Sequence, residues 1–299
     1  AGTASGRGGG VYGNCSISGG SVSGAATVEG GGIYGQVEIS DAQVNNGTAG
    51  DGGGIYALGV SSLTRVQVFA NLATGAGGGV LVGAGAAATL RNVVVRNNRA
   101  RSDGGGLLVR AGGAAVANNA SILRNTADDD ANGSGDGGGV AVELGADLAL
   151  GNSIVAQNFD NGGEAPDGSG TVDSAGHNLF EEIAGLAIAG DPTGNLVGVD
   201  PGFQALLGLF FSGAVHPDSP AIQAGSPLLP GSGGSACEAD DVFGAARPLG
   251  PRCDIGAVES SAYCGNGITE WSEECDAGAA TAVCGSDCRF VDLIRDAQW

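Results

Sequence analysis

The apolar positions of this chain fall into short clusters that recur along it. Glycine triplets begin at Gly8, Gly30, Gly52, Gly77, Gly104 and Gly137. Each is followed at once by apolar residues: Val11-Tyr12, Ile33-Tyr34, Ile55-Tyr56, Val80-Leu81, Leu107-Leu108 and Val140-Ala141. The intervals between triplets are 22, 22, 25, 27 and 33 residues. A period of that size is one coil of a solenoid, with each coil leaning on its neighbours. A second apolar cluster precedes an asparagine in each period: Val66-Gln67-Val68 before Asn71, Val93-Val94-Val95 before Asn98, Ser121-Ile122-Leu123 before Asn125, and Ser153-Ile154-Val155 before Asn158. Short β-branched runs bounded by glycine and asparagine read as strands. Each coil is therefore expected to carry a strand at the triplet, a second before the asparagine, and turns of variable length between them.

Coils stacked about 4.8 Å apart pair every strand with its copies above and below. The triplets supply the positive φ that a sharp corner needs. Asn46, Asn71, Asn98, Asn125 and Asn158 form the row expected to stack as an amide ladder; the first three each lie six residues before the next triplet. Asparagine tolerates the left-handed region, and stacked amides hydrogen-bond along the axis. The fold read from these patterns is all-β, a right-handed parallel β-helix. The paired motif, glycine-glycine-small-aliphatic with aliphatic-x-x-Asn, resembles the repeats of the polymorphic outer-membrane protein family over roughly residues 8 to 158. That resemblance implies the same right-handed helix.

Beyond Asn158 the rhythm decays. Gly176-His177-Asn178-Leu179, then Ser219-Pro220-Ala221-Ile222-Gln223-Ala224-Gly225, then Asp254-Ile255-Gly256-Ala257 follow in order. This succession resembles the C-terminal part of bacterial choice-of-anchor Q surface domains. Cys264-Gly265-Asn266-Gly267, Glu273-Glu274-Cys275-Asp276, Cys284 and Cys288 resemble a cysteine-rich repeat of bacterial secreted proteins. Three regions are expected: coils over 1–158, final coils and an end cap over 159–260, and a cysteine-rich module over 261–299. Cys237 and Cys253 are expected to close a loop in the second, and the other four to form two bridges in any of three pairings.

Composition narrows the class. Sixty glycines in 299 residues, with 42% hydrophobic residues, suit a repeat with a core rather than a disordered chain. Six of the seven cysteines lie after residue 236, away from His177 and His216, which favours disulfides over zinc and an oxidising compartment. Thirty-two acids against twelve bases leave a net charge of −20. Nucleic acid is excluded as a partner on that balance, since it recruits a basic footprint. No apolar run reaches the length of a membrane span.

The candidate chemistry is acidic. Glu29, Asp51, Asp103 and Asp136 each immediately precede a triplet, so stacking brings them to one corner. Asp128, Asp130, Asn132 and Asp136 fall at positions 1, 3, 5 and 9 of a calcium loop with Gly133 at 6, although Gly139 replaces the bidentate glutamate at 12. Calcium is the one cofactor this suggests. Arg65, Arg91, Arg96, Arg99, Arg101, Arg110 and Arg124 crowd the middle coils, facing an anionic glycan or balancing nearby acids. No catalytic residue is assigned. The expected function is a secreted or cell-surface structural, adhesive solenoid whose partners are surface glycans or copies of itself. The short segment before Gly8 suggests head-to-tail filaments. The alternative is a polysaccharide-binding or -cleaving, lyase-like β-helix enzyme.

Overall fold

The computed structural model describes residues 2–203, 213–216 and 218–260. Three strands recur per coil where the sequence pattern shows two. The additional one is only two or three residues long, and seven copies stack into one sheet: Gly2–Ala4, Gly24–Ala26, Thr48–Ala49, Leu72–Ala73, Arg99–Ala100, Thr126–Ala127 and Phe159–Asp160. We number coils 1 to 7 by these strands. Its inward residue in coils 3 to 6 is an alanine, at positions 49, 73, 100 and 127, so no hydrophobic periodicity announces it.

The second strand follows the triplet, from Val11–Tyr12 in coil 1 to Val140–Val142 in coil 6. Ile33, Ile55, Val80, Leu107 and Val140 stand directly above one another along it. The third and longest strand is Val37–Asn45 in coil 2, Val60–Phe69 in coil 3, Ala87–Arg96 in coil 4 and Ala114–Leu123 in coil 5. Its neighbours pair in parallel, as do those of the other strands. Among the described residues the chain is all-β, and it is a parallel β-helix.

Alternation within the long strand explains its bend. Val37, Ile39, Ala42 and Val44 are buried, so the period of two slips by one at Asp41, whose φ is +53°. Inward residues from all the coils fill one continuous core, with Ile39, Leu63, Leu90, Ile122 and Leu148 among its fully buried members. The glycine triplets are required by this stacking. Gly52 has φ +64°, and a Cβ on Gly53 would run into the backbone of Leu72 and Gly78 in the next coil.

Coils continue past Asn158 through Gly168–Ala175 and Leu179–Phe180 to Leu186–Asp191 and Leu196–Val197. Within the segment expected to form the final coils and cap, residues 213–216 and 218–260 lie along one flank of coils 3 to 7. This strap has no regular strand; its local order comes from turns and the bridge between Asp240 and Ala246. It is held to the helix by a second hydrophobic core. Val94, Leu123, Ile154, Ala156 and Leu179 point outward from the coils and are buried against Phe203, Val215, Ala221, Val242, Ile255 and Ala257. Burying each such side chain stabilises docking by about 1.5–3 kcal/mol for the larger ones. The Cys237–Cys253 disulfide staples the strap. Cys264, Cys275, Cys284 and Cys288 lie outside the described residues.

Candidate functional site

Four asparagines form a continuous buried file. Asn71 Nδ2 donates to Asn98 Oδ1 at 2.8 Å, Asn98 to Asn125 at 2.9 Å, and Asn125 to Asn158 at 3.0 Å. The Oδ1 of Asn98, Asn125 and Asn158 also accepts the backbone N–H of the asparagine before it, and each second amide hydrogen goes to a backbone carbonyl, as from Asn98 to Val68. Every polar side-chain atom of these buried amides is thereby satisfied, as burial demands. The file ends on Asp167, whose Oδ1 accepts both Asn158 N and Nδ2. Burial pushes this carboxyl up to about 6 despite the donors around it.

Asn46 is not part of the file. The strand pairing sets Thr48 opposite Leu72, so the residue opposite Asn71 is Gly47, whose N–H donates to Asn71 Oδ1. Asn46 is exposed at the corner with φ +52°, and donates to its neighbour Asn45. Counting back from the triplet misplaced it because the turn after Ala73 is one residue longer than the turn after Ala49.

A second row went unnoticed in the sequence. Asp41, Arg65, Asn92, Asn119, Asn152 and His177 all have positive φ, between +49° and +55°, and mark the bend of the long strand in successive coils. The signal was available, since Arg65, Asn92, Asn119 and Asn152 each sit six residues before a ladder asparagine. Their side chains read the strap. Arg65 reaches Asp240 at 2.9 Å, and Asn92 donates to the same carboxylate. Asn119 accepts from Glu238 N and donates to Gly256 O, while Asn152 accepts from Ser226 N and donates to Ser235 O. His177 Nδ1 lies 3.1 Å from Ala224 O. One edge of the coils thus serves as a receptor for the irregular chain of residues 224–260, adding hydrogen bonds to those its backbone makes internally.

The strap has a charged interior. Arg247, Glu259, Asp254 and Asp241 are all buried. Arg247 Nη1 meets Glu259 Oε2 at 2.6 Å, Glu259 N donates to Asp241, and Gln223 N and Ser260 N donate to the two oxygens of Asp254. Three carboxyls around one guanidinium leave excess negative charge. Burial, then the neighbouring Glu259, push Asp254 up to about 7.

The corner acids take different partners along the axis. Glu29 pairs with Arg7, Asp51 with Arg110 at 2.7 Å and with the N–H of Ala76, and Asp103 accepts from Asp136 N. The four proposed calcium ligands do not converge on one point. Asp128 is buried, and its two oxygens accept Asn132 N and Gly133 N, closing the inserted loop as a turn. Asp136 instead meets Asp160 and Glu164 from the next coil, their carboxylate oxygens within 4.8 Å of one another. Burial and these two acids, with Asp103, raise the Asp136 carboxyl. Asp160 was invisible to sequence reasoning because it lies 24 residues away, in the seventh short strand.

Of the central arginines, Arg65, Arg91, Arg99 and Arg110 are ion-paired with acids of other coils or of the strap, and Arg96 stacks 4.4 Å over the ring of Phe69. No helix among the described residues is long and apolar enough to cross a membrane. Compared with family models, with curated proteins and with solved structures, the chain matches none.

Proposed function

We propose that the protein is a structural, adhesive rod that works outside the cell and holds surface glycans. The observation that carries this reading is how its polar side chains are used. The amide file, the corner ion pairs and the strap contacts all join one coil to another or to the strap. Such cross-linking suits an object that must survive mechanical load and proteases. The disulfide in the strap accords with an oxidising exterior. Calcium enters this reading as a clamp at Asp136, Asp160 and Glu164, an oxygen-only donor set of the kind a hard cation takes.

The same three converging carboxylates favour the second reading, a glycan-cleaving enzyme, because hydrolysis of a glycosidic bond needs a pair of carboxyl groups. Incubation with insoluble and soluble polysaccharides separates the two. Retention of the protein on the polymer without release of reducing or unsaturated sugar ends is the expected result. Release of such ends overturns the adhesive reading in favour of the enzyme. Added calcium chloride is expected to raise the melting temperature; an unchanged melting curve removes the clamp.

A further inference from the structure

We infer that the cleft between the strap and the outer face of coils 4 and 5 binds a neutral sugar ring. The inference rests on the adhesive reading above and names the ligand class it would hold. The cleft encloses about 350 Å³, within the range of small-molecule sites. Its floor is Thr89 and Arg91 from one long strand and Val116 and Asn118 from the next, and its roof is the strap from Gly231 to Glu238.

The roof has a built shape. Gly231, Gly233 and Gly234 have φ of +78°, +84° and +63°, a path that side-chain-bearing residues rarely follow. Gly231 N donates to Cys237 O at 2.7 Å, and Cys237 is bonded to Cys253. Asn118 Nδ2 donates to Ala236 O and to Glu238 Oε1, both at 2.9 Å, and Arg91 Nε lies 3.4 Å from that same oxygen. Glu238 is therefore positioned through one oxygen, while its Oε2 makes no hydrogen bond to the described residues. The Arg91 side chain is half exposed, as is Val116.

The chemistry of these walls selects among ligands. Arg91 and Glu238 cancel in charge, and the chain as a whole carries −20, so a uronate or phosphate has no net attraction to the site. A wholly apolar ligand would strip water from Glu238, Arg91 and Asn118 and return no hydrogen bonds. A pyranose ring answers both surfaces. Adjacent hydroxyls donate to Glu238 and accept from Arg91 and Thr89, and the ring's C–H face rests on the Val116 methyls.

The test is a printed array of neutral and uronate-containing oligosaccharides, probed with the intact protein and with Glu238→Ala, Val116→Asp and Thr89→Val. Thermal melting of each variant checks that the strap remains docked, and Thr89→Val alters the floor without touching the strap. Binding to neutral oligosaccharides is expected, weakened at least tenfold by the first two variants and at least threefold by the third. Binding undiminished in the folded variants overturns the cleft assignment and leaves the adhesive reading standing. Binding confined to uronates overturns the neutral assignment. An intact protein that binds no oligosaccharide overturns the cleft and the glycan-holding reading together.

Discussion

The flank of coils 2 and 3 and the flank of coils 4 to 7 share one backbone geometry but differ in the balance of polar and apolar side chains they present. At matching outward positions the first shows Gln43 and Gln67 in one column and Asn45 and Phe69 in the other, whereas the second shows Val94, Ser121, Ile154 and Leu179 in the one and Arg96, Leu123 and Ala156 in the other. On the first flank Gln43 is exposed, Asn45 and Gln67 are half-buried, and Arg96 of coil 4 stacks over Phe69; the more apolar flank lies beneath the strap. A solenoid coil needs only its inward residues to stack, so its outward residues are free to specify what lies upon them. Here they define the footprint of a second, irregular layer. The bend residues above that footprint supply its hydrogen bonds.

Breaking the apolar flank has the largest expected effect. Leu123→Asp buries an unpaired charge between coil and strap, and is expected to cost about 4 kcal/mol or more of strap docking, read as protease cleavage within 213–260. Gln67→Asp, two coils earlier, is expected to stay within about 0.5 kcal/mol by thermal melting. Equal sensitivity at the two sites would erase the distinction between the flanks.

The amide file comes next. Asn125→Ala leaves the buried Asn98 N and Nδ2 without their acceptor, for an expected loss of about 3 kcal/mol in denaturant unfolding. Asn46→Gly lies outside the file at a left-handed corner, and the same measurement should barely register it. The disulfide is expected to matter less to the coils than to the strap. Replacing Cys237 and Cys253 by alanine removes about 3 kcal/mol of loop-closure stabilisation. That loss should appear as lower protection in 213–260, with the coils up to residue 127 unchanged.

The last effect is that of pH. Asp254 and Asp167 have folded pKa values of about 7 and about 6, raised from 3.8. The folded state therefore holds protons that the unfolded chain has lost, and stability falls as pH rises from about 4 through 7. Melting at pH 5 is expected to exceed melting at pH 8. Asp254→Asn should flatten the upper part of that slope, and a slope unaltered by this variant would place its origin elsewhere.

Much of the helix was legible because stacking forces repetition. The triplets and the asparagines recur since each must meet its own copy in the next coil, and the register of Ile33, Ile55, Val80 and Leu107 follows from them. The failures also have physical origins. Asn46 was assigned by distance to the triplet, although register is set strand by strand and the intervening turns vary in length. The additional short strands depend on alanine, which is too small to leave a hydrophobic signal. The placement of the strap was illegible because Arg65, Asn92, Asn119 and Asn152, although each lies six residues before a ladder asparagine and shares one backbone conformation, carry nothing in that spacing that says what lies on them. The acidic group of Asp136, Asp160 and Glu164 joins residues of two coils across an insertion, so no local motif contains it.

The central claim is that the strap is a distinct layer laid upon an independently stacked helix. Hydrogen exchange of the intact protein, followed by mass spectrometry, tests it most directly. The account predicts that amides of 213–260 exchange through an opening that leaves the coils closed, and that segments holding Asn98 and Asn125 exchange last. Simultaneous exchange of strap and coils in a single cooperative step would contradict it.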